Sequence, residues 1–133
     1  DKSRAISLAT SLASATHTAV IPTDFTEVTL HEWIPKSDLV VNATSIGMHP
    51  YDDISPVPDI LIQPNIFVYD LVYNPIETVF VQRAKTQGAV AAGGLSMLVY
   101  QGAHAFTLWT GTTAPRDLMM RTAHEHIARS SRN

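Results

Sequence analysis

The sequence predicts an α/β protein: a doubly wound and mostly parallel sheet with helices on both faces. Three observations predict it. Apolar runs at Asp38–Thr44, Ile66–Tyr73 and Ala89–Ala92 are continuous rather than alternating, so they read as strands buried on both faces. Segments with helical spacing separate them, and that order implies right-handed parallel crossovers. Each run also ends in a polar or glycine-containing stretch, at the strand ends where such sheets bind ligands.

From Ser3 to Ser14, Ile6, Leu8, Ala9, Leu12 and Ala13 recur at helical spacing. Lys2 and Arg4 oppose the macrodipole at the start of this helix, so they are either solvated or placed to meet an anion. An extended segment, Thr18–Ile21, stops at Pro22, and Phe25–Trp33 is a short helix with Leu30, Trp33 and Ile34 facing inward and Pro35 just past its end. After the first strand, Ser45–Pro50 is a loop. Tyr51–Pro64, with Pro50 just before it and Pro56, Pro58 and Pro64 within it, reads as an irregular excursion over the surface. Asn74-Pro75 breaks the second strand, and Glu77–Gln87 is an amphipathic helix stopped by Gly88. The third strand runs into Gly93-Gly94 and a helix whose Gly94, Met97 and Gln101 share one face, beside an apolar stripe of Leu98, Gly102, Ala105 and Trp109. A last helix, Arg116–Arg129, carries Leu118, Met119, Ala123 and Ile127 on one side.

A chain of 133 residues, 45% apolar and 16% charged, is one globular domain with a real core. A net charge of −3 argues against a nucleic-acid partner. With no run of roughly 18 apolar residues, no membrane span is expected. Cysteine is absent, which excludes disulfides and thiolate metal sites and fits a cytoplasmic protein. The six histidines show no metal spacing tied to a carboxylate, so no metal site and no catalytic histidine is expected; His104, one turn beyond Gln101, is the one to watch. The chain opens without Met directly into a helical pattern, which reads as a piece of a longer protein.

The chemistry-bearing residues collect at the strand ends. Adjacent glycines before a helix permit a sharp turn and a close approach to bare backbone. Asn42 and Thr44 have two readings: ligand contacts, or satisfaction of turn backbone groups. Tyr73 is likewise a ligand contact or a half-buried core tyrosine.

Three stretches in register resemble the C-terminal, nicotinamide-nucleotide-binding domain of shikimate dehydrogenase: Asp38–Met48 with its Asn42-Ala43-Thr44-Ser45, Tyr69–Pro75, and Gly93–Ala103. The resemblance covers nearly the whole chain, residues 1–133, as the nicotinamide side of a dinucleotide-binding domain plus a terminal helix. It implies reduction of 3-dehydroshikimate to shikimate with NADPH, NAD being the alternative cofactor. It also implies that Asn42, Ala43, Thr44 and Ser45 line the cofactor, that Leu71, Gly94 and Met97 meet the nicotinamide ring, and that Tyr73 and Gln101 hydrogen-bond the substrate. Arg4, with Lys2, is then the candidate for a 2′-phosphate, and Asp1 for an NAD-type ribose contact.

The sequence departs from that family in two respects. It contains no glycine-rich turn to cradle a pyrophosphate, and no lysine–aspartate pair to manage the proton, a pair that belongs to an N-terminal catalytic domain. No catalytic residue is therefore expected within these residues, which should be inactive alone. A quinate/shikimate dehydrogenase using NAD, and a non-catalytic Rossmann-like association module, are the alternatives. If the catalytic domain is missing, the Leu118, Met119 and Ile127 side of the last helix would be exposed and drive homodimerisation.

Overall fold

The computed structural model describes residues 2–130. In order, the elements are α1 (Lys2–Thr16), α2 (Glu27–Trp33), a 3-10 turn (Ile34–Lys36), β1 (Leu39–Asn42), a second 3-10 turn (Asp59–Leu61), β2 (Phe67–Asp70), α3 (Val79–Thr86), β3 (Val90–Ala92), α4 (Leu95–Thr110) and α5 (Arg116–Ser130). The strands form one parallel sheet in the order β1-β2-β3, as the α/β reading requires. Register pairs Val40 with Val68 and Val68 with Ala91, and brings Asn42 level with Asp70 at the carboxyl end.

Local chemistry fixes the boundaries. Thr26 caps α2 by accepting from the Thr29 backbone N–H at 3.3 Å, and Thr78 caps α3 by accepting from that of Val81 at 3.3 Å. α3 therefore starts two residues later than Glu77. α4 stops at Gly111, whose φ of 68° is left-handed and whose N–H donates to the Thr107 carbonyl at 2.9 Å.

Two apolar clusters hold the fold. In the first, Val68 on the inner face of the sheet packs with Phe80 and Ala84 of α3 and with Ile34, Val57, Leu61, Ile62, Ile66 and Ala89. In the second, Leu95 and Val99 of α4 meet Ile127 of α5, with Leu98, Met119, Met120 and Ala123 packed around them.

Several expectations are corrected. The strands are not buried on both faces: Leu39, Val41, Phe67 and Val90, which alternate with the core positions, are 54%, 47%, 39% and 65% exposed. A continuous apolar run does not reveal which of its faces the chain itself covers. Tyr51–Pro64 is no surface excursion, because Val57, Leu61 and Ile62 within it are buried in the first cluster. Its prolines break periodicity without making it peripheral. Trp33 lies at the edge of the core beneath Lys36, whose Nζ is 5.5 Å from the ring centre, and Trp109 stands in solvent rather than in an apolar stripe. The α5 side expected to be exposed is instead the seam with α4: Ile127 is buried and Met119 packs there, leaving only Leu118 open.

Candidate functional site

The three loops at the carboxyl ends of the strands meet on one rim, and hydrogen bonds tie them together. Leu71 N–H donates to the Asn42 carbonyl at 3.0 Å, continuing the β1–β2 ladder past the strand ends. His49 N–H donates to the Asn74 carbonyl at 3.0 Å, joining the first loop to the second. Gly94 N–H donates to the Val72 carbonyl at 3.0 Å, joining the third to the second.

Under this rim lies a buried carboxylate. Asp70 is fully enclosed; its Oδ1 accepts from Asn42 Nδ2 at 2.9 Å and from Val72 N–H at 3.0 Å, and its Oδ2 from Thr78 Oγ1 at 2.7 Å. Burial of a carboxylate is tolerated when donors replace its water, and three do so here. Asn42 extends the network: its Nδ2 also donates to the Ile46 carbonyl at 3.1 Å, and its Oδ1 accepts from Thr44 N–H at 3.1 Å and Thr44 Oγ1 at 2.7 Å. Both amide hydrogens and both oxygen lone pairs of Asn42 are thus engaged within the protein. Thr44 Oγ1 in turn accepts from Ile46 N–H at 3.1 Å.

Gly94 is buried, and its surroundings leave no room for a side chain. A Cβ built there would lie 2.2 Å from the Leu71 carbonyl oxygen and 3.0 Å from that of Val72. The bare backbone receives a neighbouring strand end, so close packing of the second and third loops depends on it.

The predicted residues divide accordingly. Ala43, Thr44 and Ser45 are exposed on the first loop, and Leu71 is half-buried on the second. Gly94 lies beneath the third, with Met97, half-buried, one turn further along α4. Asn42 shapes the rim from below, the turn-satisfying reading of that residue. Tyr73 is 42% exposed at the end of the second loop, and Gln101 is exposed on α4, about 10 Å along the axis from Gly94 at 1.5 Å per residue. Arg4 lies on exposed α1, far in sequence from the loops, and its neighbour Lys2 pairs with Asp24 at 2.9 Å. Asp1 lies outside the described residues.

The sequence reading missed Thr78. Its signal was present, a threonine directly before the apolar triplet Val79-Phe80-Val81, which is an N-cap signature. An apolar cavity of about 140 Å³ opens beside the first loop, between Phe25, Leu30, Val41, Asn42, Thr44 and Phe80. A larger one, about 300 Å³, lies away from the rim between α4 and α5, lined by Tyr100, His104, Thr107 and Arg116. Among the described residues no three metal-binding side chains cluster, and no helix is long and apolar enough to cross a membrane.

Comparison with known proteins identifies relatives of this arrangement. The family described as the shikimate 5'-dehydrogenase C-terminal domain matches residues 94–124. A protein named shikimate dehydrogenase (NADP(+)) from Moorella thermoacetica is 43% identical over 128 residues, 96% of this chain and 43% of that protein. Among solved structures, shikimate 5-dehydrogenase from Listeria monocytogenes in complex with shikimate and NAD superposes with a TM-score of 0.81 at 30% identity, over 90% of this chain and 42% of that one. Quinate dehydrogenase from Corynebacterium glutamicum in complex with NAD gives a TM-score of 0.81 at 31% identity, over 92% and 43%. The chain spans less than half the length of each of these relatives.

Proposed function

This chain belongs to the shikimate dehydrogenase family, at its C-terminal domain, and we propose that it supplies the nicotinamide side of the cofactor site and part of the substrate pocket of an NADP-dependent enzyme interconverting 3-dehydroshikimate and shikimate. The observation that carries this reading is the convergence of three strand-end loops on one rim, polar at Thr44 and Ser45 and apolar at Leu71 and Met97. That division fits a nicotinamide riboside, whose ring is flat and weakly polar and whose sugar and phosphates carry hydroxyls and charge. When bound, the nicotinamide supplies a hydride acceptor or donor for the alcohol or carbonyl carbon.

The chain's own residues bind and orient. Ala43, Thr44 and Ser45 face the ribose and pyrophosphate, and Asn42 holds their loop. Leu71 and Met97 flank the ring, and Gly94 lets the loop that bears Leu71 pack against the start of α4, which bears Met97. The Tyr73 phenol and the Gln101 amide hydrogen-bond substrate hydroxyls, and an analogue without those hydroxyls is penalised because binding would cover the two groups and leave them unpaired. Arg4 is assigned to the 2′-phosphate, with NADP as the cofactor. The quinate/shikimate alternative with NAD is favoured by one observation, the equally close superposition on the quinate dehydrogenase.

Proton transfer to the carbonyl oxygen needs a positioned acid. The three lysines of this sequence are all exposed and ion-paired, Lys2 with Asp24, Lys36 with Glu32 and Lys85 with Glu77. That task, in this reading, falls to an N-terminal catalytic domain, and the 133 residues alone do not turn over. We place the enzyme in the cytoplasm, and any homodimer contact outside the α4–α5 seam. The test is a spectrophotometric dehydrogenase assay with shikimate and NADP+, on the chain alone and mixed with the N-terminal part of a relative, its catalytic domain and glycine-rich turn both included. Activity only in the mixture is the expected result. Turnover by the chain alone at the rate of an intact relative refutes the division of labour, and a non-catalytic association module predicts none in either.

A further inference from the structure

We infer that Asp70 is a positioning residue that couples the Thr44 loop to the Leu71 loop and so sets the shape of the rim before any ligand arrives. The inference rests on the reading that this rim holds the nicotinamide end of NADP. Its basis is the way the carboxylate divides its work. Oδ1 faces the rim, accepting from Asn42 Nδ2 at 2.9 Å and from Val72 N–H at 3.0 Å, and so ties a residue of β1 to a residue of the second loop. Oδ2 faces the helix, accepting from Thr78 Oγ1 at 2.7 Å. Asn42, gripped by Oδ1, has only one orientation that satisfies its amide, and in that orientation its oxygen receives both Thr44 donors. Thr44, two bonds away, presents its backbone and hydroxyl as Asp70 dictates. Asp70 itself has no exposed surface, so it acts on the rim only through the groups it holds.

Because rim and helix use different oxygens, they can be separated by substitution. Asp70→Ala leaves Asn42 Nδ2, Val72 N–H and Thr78 Oγ1 without their acceptor and frees Asn42 to turn. Asp70→Asn keeps an oxygen toward the rim and turns its NH2 to the Thr78 hydroxyl oxygen, which can accept. Thr78→Val removes the helix-side bond and the cap of α3 but leaves both rim bonds in place, so it lowers stability without loosening the rim.

The experiment is amide-resolved NMR on the full chain. In the ligand-free protein, exchange at Thr44 and Ile46, neither bonded to Asp70, should accelerate at least tenfold in Asp70→Ala relative to the change at Val68 and Phe80. In Thr78→Val the two sets should change by the same factor. Titration with NADP+ should then give an apparent Kd at least fivefold weaker in Asp70→Ala, but within about twofold of the original in Thr78→Val and Asp70→Asn. Should Asp70→Ala not fold, Asp70→Ser is read by the same criteria. Unchanged exchange at Thr44 and Ile46 in a folded Asp70→Ala protein, or an equal loss of NADP+ affinity in Thr78→Val, overturns the inference. Failure of the unaltered chain to bind NADP+ overturns the cofactor reading instead, and the exchange experiment still decides the coupling.

Discussion

Replacing Gly94 with alanine should be among the most damaging single-methyl additions to this chain. Backbone conformation alone predicts the opposite. At φ −77° and ψ −9° the residue is right-handed helical, where alanine is favoured over glycine by about 0.5–1 kcal/mol. The contact reverses the sign. The new Cβ would lie 2.2 Å from the Leu71 oxygen and 2.6 Å from its carbonyl carbon, roughly 1 Å inside ordinary contact for packed atoms at about 3.5 Å. The obstacle is backbone, with no rotamer to move, so either the second loop or the start of α4 must shift and the Gly94 N–H···Val72 bond is lost with it. Overpacking of that kind costs about 3 kcal/mol, and the lost bond about 1 more. Gly102→Ala is the control: it lies inside α4 with its Cβ site 3.6 Å from Met119 Cε, an ordinary contact, and should stabilise by about 0.5–1 kcal/mol. Urea denaturation followed by circular dichroism separates the two. With a slope of about 1.5 kcal/mol/M, Gly94→Ala should lower the midpoint by roughly 2 M and Gly102→Ala should raise it slightly. Equal midpoints for the two variants would refute the argument that the loops pack through the missing side chain.

Other outcomes follow from the same structure. Gly111→Ala pays only for the left-handed backbone, since nothing lies within 4 Å of the added Cβ, and should cost about 1–2 kcal/mol in the same assay. Leu39→Lys and Val90→Lys, on the open face of the sheet, should change stability by no more than about 0.5 kcal/mol, whereas Val68→Lys, one position over on the inner face, should abolish folding. Removing the exposed Arg83–Asp59 pair, 2.9 Å apart, with Arg83→Gln should cost less than about 1 kcal/mol and still less in high salt.

What the sequence disclosed and what it withheld follow one pattern. The three strands, their parallel sense and the meeting of their ends were readable, because apolar runs and helical periodicity are local signals that topology rules convert into a sheet. Side-chain partners at long range were not. Nothing local tells that Asp70 accepts from Asn42, 28 residues away, or that Asn42 spends its whole amide inside the protein. Gly93-Gly94 announced a close approach but not its partner, which is the Leu71 carbonyl. Val57, Leu61 and Ile62 are obscured by the prolines around them, and helical spacing puts Trp33 and Trp109 with apolar neighbours, although both stand at helix ends, where residues often lie at the margin. Burial on both faces of the strands failed for a different reason: a continuous apolar run says that a face can be covered, not by what.

The rim is the proposed seat of the cofactor's nicotinamide end, and amide chemical-shift mapping with NADP+ and shikimate tests that most directly. Shifts should concentrate at Ala43–Ser45, Leu71–Tyr73 and Gly94–Met97, with shikimate adding to those at Tyr73 and Gln101. Shifts confined to Tyr100, His104 and Arg116 in the α4–α5 cavity, with the strand-end loops silent, would contradict it.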